Sequence, residues 1–197
     1  MLGNSDTRET SALSLGKLVR LTPLDTLKPF VIQITGPLIR VIGDRFNPNV
    51  KSAILQTLGQ LLQKVPTMLR PFLPQLQRTF VKSLTEQQIG VTGGSGLRET
   101  AAQCLSFLIP LQPRLDPLLV ELVQSCQTAQ DKSIKEAVLE ALYGLVKGVL
   151  SAGRELTPAS LDVLRELIVG IHETSIENEG AFCSLLYYYL YNIADPI

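Results

Sequence analysis

Apolar residues recur at steps of three and four along most of this chain, with polar residues between them. Leu55, Leu58 and Leu61 follow one another in this way, and three other stretches repeat the spacing. Such steps place side chains on one face of an α-helix, whereas a half-buried strand alternates every second residue. No segment sustains that alternation, so the pattern predicts an all-α fold with little or no sheet.

Two short patterns repeat along the chain. The first is a leucine followed two residues later by a proline, and its prolines are Pro29, Pro71, Pro117 and Pro158, which lie 42, 46 and 41 residues apart. A proline before an apolar helical pattern marks the first turn of a helix. The second pattern leads into a row of leucines, represented by Leu15, Leu58, Leu105 and Leu142. Two helices in roughly 40–47 residues is the period of HEAT and armadillo arrays.

The repeats predict an α-solenoid of HEAT-like helical hairpins, with about four repeats plus one extra helix. The first helix of each hairpin is called outer and the second inner. The predicted outer helices are 25–43, 69–85, 115–128 and 157–174, and the inner helices are 7–20, 49–64, 97–110, 132–150 and 177–193. The repeat units are then about 25–64, 69–110, 115–150 and 157–193, in one array over residues 1–197.

Both ends lack a convincing polar cap, which stacked repeats need where the array stops. The chain begins within a unit and finishes with a tyrosine-rich stretch at 187–191. We therefore expect a fragment of a longer solenoid, and the alternative is a natural capping helix with exposed tyrosines. The glycine-rich stretch at 90–96 predicts a surface loop, because no Gly-Lys-Ser/Thr sequence follows it to form a phosphate-binding loop.

Composition narrows the class of protein. Of the 197 residues 45% are hydrophobic, which is enough for a core and too many for a disordered tail. Three scattered cysteines fit a reducing compartment, and the longest uncharged apolar stretch, at 180–194, is too short to span a bilayer. With no signal peptide recognised at the N-terminus, we expect a soluble, cytoplasmic protein without a membrane-spanning segment.

Catalytic and metal-binding patterns are not found. His172 is the one histidine and has no second ligand near it, and Cys104 lies in an apolar run where a small core residue is the simplest interpretation. We therefore expect no enzymatic activity, no metal, no cofactor and no small-molecule substrate. What remains for function is a surface.

The charge is unevenly distributed, although the net charge is zero. Residues 1–114 contain 13 basic and 6 acidic side chains, and residues 115–197 contain 5 and 12. This split suggests an acidic partner for the first part, or a chain that continues or pairs with itself. Surface charge that simply drifts along a fragment explains it as well.

The repeat register places a basic strip on the first two units. Arg40 lies 11 residues after Pro29, and Lys82 lies 11 after Pro71, so the two should occupy equivalent positions on adjacent outer helices. The full set of candidate partner-binding residues is Arg40, Arg45, Lys51, Arg78 and Lys82. An ordinary solvated helix face is the alternative. Pro37 lies inside the first outer helix, where it should kink the helix or loosen the carbonyl of Gln33.

Three segments have sequences that are distinctive of one protein family rather than of helical repeats in general. They are residues 36–62 (GPLIRVIGDRFNPNVKSAILQTLGQLL), 69–84 (LRPFLPQLQRTFVKSL) and 111–123 (LQPRLDPLLVELV). Together they closely resemble part of the giant HEAT-repeat translational activator of the general amino-acid control pathway, in its fungal form. The resemblance covers residues 8–150 well and 151–197 more loosely.

The resemblance implies a function that the periodicity does not. In that family this region binds the RWD domain of the kinase that phosphorylates the α-subunit of initiation factor two, while the full-length protein sits on ribosomes during amino-acid starvation. The family's kinase contact depends on an arginine that falls on Arg40. Phe72 and Thr85 fall on positions where change disturbs the segment, and we expect Phe72 to be buried and to act through packing. Alternatives are contact with ribosomal RNA, or a purely structural spacer.

Overall fold

The computed structural model describes residues 4–43, 46–86 and 95–173, and these are helices joined by short turns, with no strand among them. The α-helices are α1 (Ser5–Leu21), α2 (Leu24–Leu27), α3 (Val31–Ile42), α4 (Pro48–Lys64), α5 (Leu73–Thr85), α6 (Ser95–Leu108), α7 (Asp116–Thr128), α8 (Lys132–Ser151) and α9 (Pro158–Glu173). Short 3₁₀ segments occupy Lys28–Phe30, Pro66–Phe72 and Ile109–Leu111. The predicted all-α, HEAT-like fold class is confirmed.

Capping residues in the sequence set several helix ends. The side chains of Asn4, Asn47 and Asp131 accept hydrogen bonds from main-chain N–H groups at the starts of α1, α4 and α8. After α8 the backbone turns at Gly153, whose φ of +59° is easily adopted only by a residue without a Cβ. The N–H of Arg154 donates to the carbonyl of Val149 at 3.0 Å, which closes this helix end.

The chain divides into two compact units, residues 1–112 and 113–197. In the first unit α4 lies between α1 and α6 in an inner row, while α3 and α5 pack against each other in an outer row. The leucines that predicted the inner helix, Leu55, Leu58 and Leu61, are fully buried. Their spacing of three places them on the face of α4 that the neighbouring helices cover.

Small residues let the inner helices approach closely. A Cβ at Gly16 of α1 would lie 2.9 Å from Thr57 Oγ1 of α4, and a Cβ at Gly59 would lie 3.1 Å from Cys104 Sγ of α6. Thr57 Oγ1 also donates to the carbonyl of Ala12 at 2.9 Å, which is a hydrogen bond between α1 and α4. The row is therefore held by close backbone contact as well as by buried leucines.

Lys64 joins the end of α4 to the end of α1. Its ammonium group donates to the carbonyls of Val19, Arg20 and Thr22 at 2.8, 2.6 and 2.5 Å. Helix C-termini leave carbonyls without partners, and a cation there also favours the negative end of the helix dipole. Lys64 thus caps a helix to which it does not belong.

In the second unit α7 packs against both α8 and α9. Buried leucines and valines form its core, among them Leu118, Leu122, Val138, Leu142 and Leu164. At the start of α9 the carboxylate of Asp116 accepts hydrogen bonds from the N–H of Thr157 and from the hydroxyls of Thr157 and Ser160 at 3.0, 2.7 and 2.7 Å. This contact ties the first residue of α7 to the first turn of α9.

The observed helices lie close to the predicted ones, with one difference in kind. Pro117 and Pro158 occupy the first turns of α7 and α9 as predicted, whereas Pro29 and Pro71 lie in 3₁₀ segments that precede α3 and α5. The division into four repeat units stays a prediction. The predicted inner helix 177–193, the tyrosines at 187–191 and most of the glycine-rich stretch fall outside the described residues.

Candidate protein-binding surface

Helix α3 separates a buried face from an exposed one. Val31, Thr35, Leu38 and Ile42 are buried at steps of four and three, which is one stripe of a helix. Thr35 satisfies its hydroxyl by donating to the carbonyl of Val31 at 2.7 Å. Of the residues between them, four are exposed, namely Ile32, Gln33, Pro37 and Arg40, and the others are half-buried. The sequence therefore directs this second set away from the core.

Arg40 lies in the last turn of α3 and is exposed. No acidic partner for it is present within the described ranges, whereas Lys28, another cation of this region, is paired with Asp25 at 2.7 Å. That pairing, through a hydrogen bond and charge attraction, lowers the pKa of Asp25. A cation near a helix C-terminus is favourable, so Arg40 suits its position in the last turn of α3.

Helix α5 carries two further exposed cations. Arg78 and Lys82 lie one turn apart on its solvent side, while Leu76, Phe80 and Leu84 are buried on the other. Lys82 follows Arg40 by 42 residues, the spacing of the prolines that begin the two outer segments. Because α3 packs against α5, the register puts Arg40 and Lys82 at equivalent positions of neighbouring helices. We call Arg40, Arg78 and Lys82 the basic surface.

Lys51 is not part of an exposed strip, contrary to the sequence-based expectation. Its side chain is only 9% exposed, and its ammonium group pairs with the carboxylate of Glu86. Burying an unpaired ammonium is costly, so the ion pair is what makes this position tolerable. The backbone carbonyl of Glu86 also accepts from Arg98 at 3.3 Å, which links the ends of α4, α5 and α6. We therefore assign Lys51 a structural contact and leave it out of the surface.

Three other candidate positions have mixed outcomes. Arg45 lies outside the described residues. Phe72 is half-buried at the end of the 3₁₀ segment before α5, so the expectation that it is buried is met only in part, and its packing role stays a prediction. Pro37 is exposed inside α3, and the helix continues through it from Val31 to Ile42.

The structure adds two exposed apolar residues to this region. Phe30 is 51% exposed and Ile32 is 60% exposed. The signal for Ile32 was its place outside the stripe formed by Val31, Thr35 and Leu38. Aromatic residues and arginine are enriched where proteins bind each other, and Phe30 and Arg40 lie at opposite ends of α3.

Cys104, which the sequence places in an apolar run, is a buried core residue. Burial raises the pKa of the Cys104 thiol to about 12, and its Sγ donates to the carbonyl of Leu55 at 3.2 Å, so it packs as a core residue. No group of three histidine, cysteine or acidic side chains suited to a metal ion occurs within the described ranges. No helix there is both long and apolar enough to cross a membrane.

Comparison with known proteins identifies relatives by sequence. No family model matches the chain. The chain is 48% identical over 160 residues to the eIF-2-alpha kinase activator GCN1 of Saccharomyces cerevisiae, which is 81% of this chain and 6% of the relative. It is 44% identical over 148 residues to the stalled ribosome sensor GCN1 of Mus musculus, covering 75% and 5%. It is 45% identical over 170 residues to the protein ILITYHIA of Arabidopsis thaliana, covering 84% and 6%.

These matches extend over most of this chain and confirm the resemblance seen in the sequence. The chain spans about a twentieth of the length of the curated relatives it matches. The chain is therefore homologous to one segment of the GCN1 proteins.

Proposed function

We propose that this chain is a non-catalytic scaffold that docks the RWD domain of the kinase that phosphorylates eIF2α. Its yeast relative is named an eIF-2-alpha kinase activator, and its mouse relative a stalled ribosome sensor. The longer protein would then work on ribosomes in the cytoplasm and promote kinase activity during amino-acid starvation. This segment would supply the kinase contact.

The observation that carries the proposal is the exposure of Arg40 on α3, beside a neighbouring helix with Arg78 and Lys82 on its solvent side. The guanidinium of Arg40 is exposed and has no acidic partner among the described residues, and such a group can form paired hydrogen bonds with a carboxylate. Rigid helices fix its position before the partner arrives, which lowers the entropy cost of binding. An acidic face on the RWD domain is the complementary partner.

Titration of a purified RWD domain against the 197-residue chain tests this. The substitution Arg40→Ala should weaken binding by about 2 kcal/mol or more, because a partner carboxylate would be left without its cation. Arg20→Ala is the matched control, since Arg20 is also an exposed arginine in the last turn of a helix, α1. Circular dichroism should show equal helicity in all three proteins. Full affinity in Arg40→Ala would remove this residue from the contact.

The same exposed cations favour a second candidate, contact with ribosomal RNA. In that case unrelated RNA would bind, and log K would fall steeply with log[salt] because phosphate contacts release counterions. Repeating the titration with an RNA of random sequence distinguishes contact with RNA from docking of the RWD domain. Binding of the RWD domain without binding of the RNA supports docking of the kinase.

A further inference from the structure

Helix α3 contains a defect on its exposed side. Pro37 has no N–H, so the carbonyl of Gln33 loses the donor that it would have four residues later in a regular helix. Both Gln33 and Pro37 are exposed, so this carbonyl lies on the solvent side of the helix. Proline and glycine are also the two residues least favourable in a helix interior. The defect therefore costs stability at a place where packing does not require it.

Gly36 leaves the same spot without a side chain. A Cβ at this position would meet no atom within 4 Å, and the backbone there does not have the positive φ found at Gly153. Close packing therefore does not explain this glycine. The residue before a proline avoids a steric clash most easily when it is small, so Gly36 and Pro37 are best treated as one feature. We call Gln33, Gly36 and Pro37 the notch.

The notch shares a face with the candidate contact residue. Arg40 follows Gln33 by seven residues and Gly36 by four, which are about two turns and one turn of helix. A molecule bound to the guanidinium of Arg40 would thus pass over the backbone at Gly36. There it would meet the carbonyl of Gln33, which has no N–H donor at position 37, beside a stretch of backbone that carries no side chain at Gly36.

We propose that the notch is a second contact point for the partner that binds Arg40, and that the partner donates an N–H or O–H hydrogen bond to the carbonyl of Gln33. This inference rests on the proposed function. It gives the partner segment a defined chemistry, namely a carboxylate for Arg40 and a hydrogen-bond donor for the notch. Pro37 then trades helix stability for binding, as functional sites often do.

The substitution Pro37→Ala tests whether the carbonyl of Gln33 accepts a hydrogen bond from the partner. Alanine restores the N–H, which closes the helical hydrogen bond to Gln33 and removes the free acceptor. The melting temperature should rise, and the Kd for the RWD domain should increase by about twofold to tenfold, the effect of losing one net hydrogen bond. A merely structural proline would give a lower melting temperature, or a higher one with unchanged Kd, and either result would overturn the proposal.

The double variant Gly36→Gln/Pro37→Ala tests the approach of the partner. Without the proline, glutamine fits the helix and covers the backbone, so binding should weaken at least tenfold with helicity retained. Gly144→Gln in α8 is the matched control, because a Cβ at Gly144 also meets no atom within 4 Å. If Pro37→Ala and Gly36→Gln/Pro37→Ala both bind with wild-type affinity while Arg40→Ala binds weakly, the proposal of the notch is wrong and the proposed function stands. Absence of wild-type binding overturns the proposed function and the notch with it.

Discussion

A single glycine sets the distance between α1 and α4. A Cβ at Gly16 would lie 2.9 Å from Thr57 Oγ1 and 3.1 Å from Gln60 Oε1. Thr57 is fully buried, and its hydroxyl is committed to the carbonyl of Ala12 at 2.9 Å. Its side chain is stiff because it is branched at Cβ, so it cannot turn away without losing that bond. The pair of helices therefore has no room for one additional methyl group.

Gly16→Ala should lower the free energy of unfolding by about 1 kcal/mol. Overpacking costs about 1–3 kcal/mol, and the better helix propensity of alanine offsets about 0.5–1 kcal/mol of it. Urea denaturation followed by circular dichroism measures the change. The control is Gly144→Ala, which should raise stability by about 0.5–1 kcal/mol because the site is open. Equal gains from both alanines would contradict the close approach.

The sequence predicted the exposure of Arg40, which the pattern of one helix determines. It did not predict the burial of Lys51, which depends on a residue far along the chain. The exposure of Arg40 follows from its place opposite the stripe of Val31 and Leu38. The burial of Lys51 depends on Glu86, which lies 35 residues away along the chain. Periodicity along one helix contains no information about such a partner, so the sequence could not predict that contact.

At the scale of helices, Asp116 fixes the start of α9 against the start of α7. Partial burial disfavours its charge, but hydrogen bonds from Ser160 and Thr157 outweigh this and lower the pKa of Asp116 to about 2. The carboxylate also lies at the N-terminal end of two helices, where negative charge is favourable. The charged form is therefore the one that stabilises the contact between α7 and α9.

The contribution of Asp116 should depend on pH in a defined window. Because its pKa is lowered on folding from 3.8 to about 2, its stabilisation is complete above about pH 4 and is lost as the pH falls toward 2. The site is mostly open to solvent, so the effect should be under about 1 kcal/mol. Thermal melts of wild type and Asp116→Asn at pH 6 and pH 2 measure it. The wild type should melt higher at pH 6 and not at pH 2, and a pH-independent difference would refute this account.

The sequence predicted where the helices lie more accurately than it predicted the residues at which they begin. Pro29 and Pro71 were expected inside the first turns of α-helices but lie in 3₁₀ segments. Pro29 cannot donate to the carbonyl of Asp25, so the helix begun at Leu24 is interrupted and resumes at Val31. Around Pro71 further prolines remove donors at positions 66 and 74, which delays the regular helix until Leu73. The period reveals the repeat, whereas several prolines acting together decide where each helix begins.

At the scale of the whole molecule, the uneven distribution of charge along the chain suits the proposed acidic partner. The part of the chain that contains α3 and α5 has an excess of basic residues, and the remainder has an excess of acidic ones. A field of this kind raises the rate at which an oppositely charged protein arrives in the correct orientation. Contacts that become buried act mainly on dissociation. Arg40 and the two cations of α5 should therefore affect different rate constants.

Arg78→Gln/Lys82→Gln should lower the association rate for the RWD domain severalfold and leave its dissociation rate nearly unchanged, because rim charges steer the approach without being desolvated. Arg40→Ala should mainly raise the dissociation rate. Surface plasmon resonance at two salt concentrations separates the two effects, and the association defect should shrink at high salt, where screening already weakens the field. Lys17→Gln/Arg20→Gln removes the same charge from the exposed side of α1 and serves as the control. If it slows association as much as the α5 pair does, net charge rather than the position of the basic surface governs encounter.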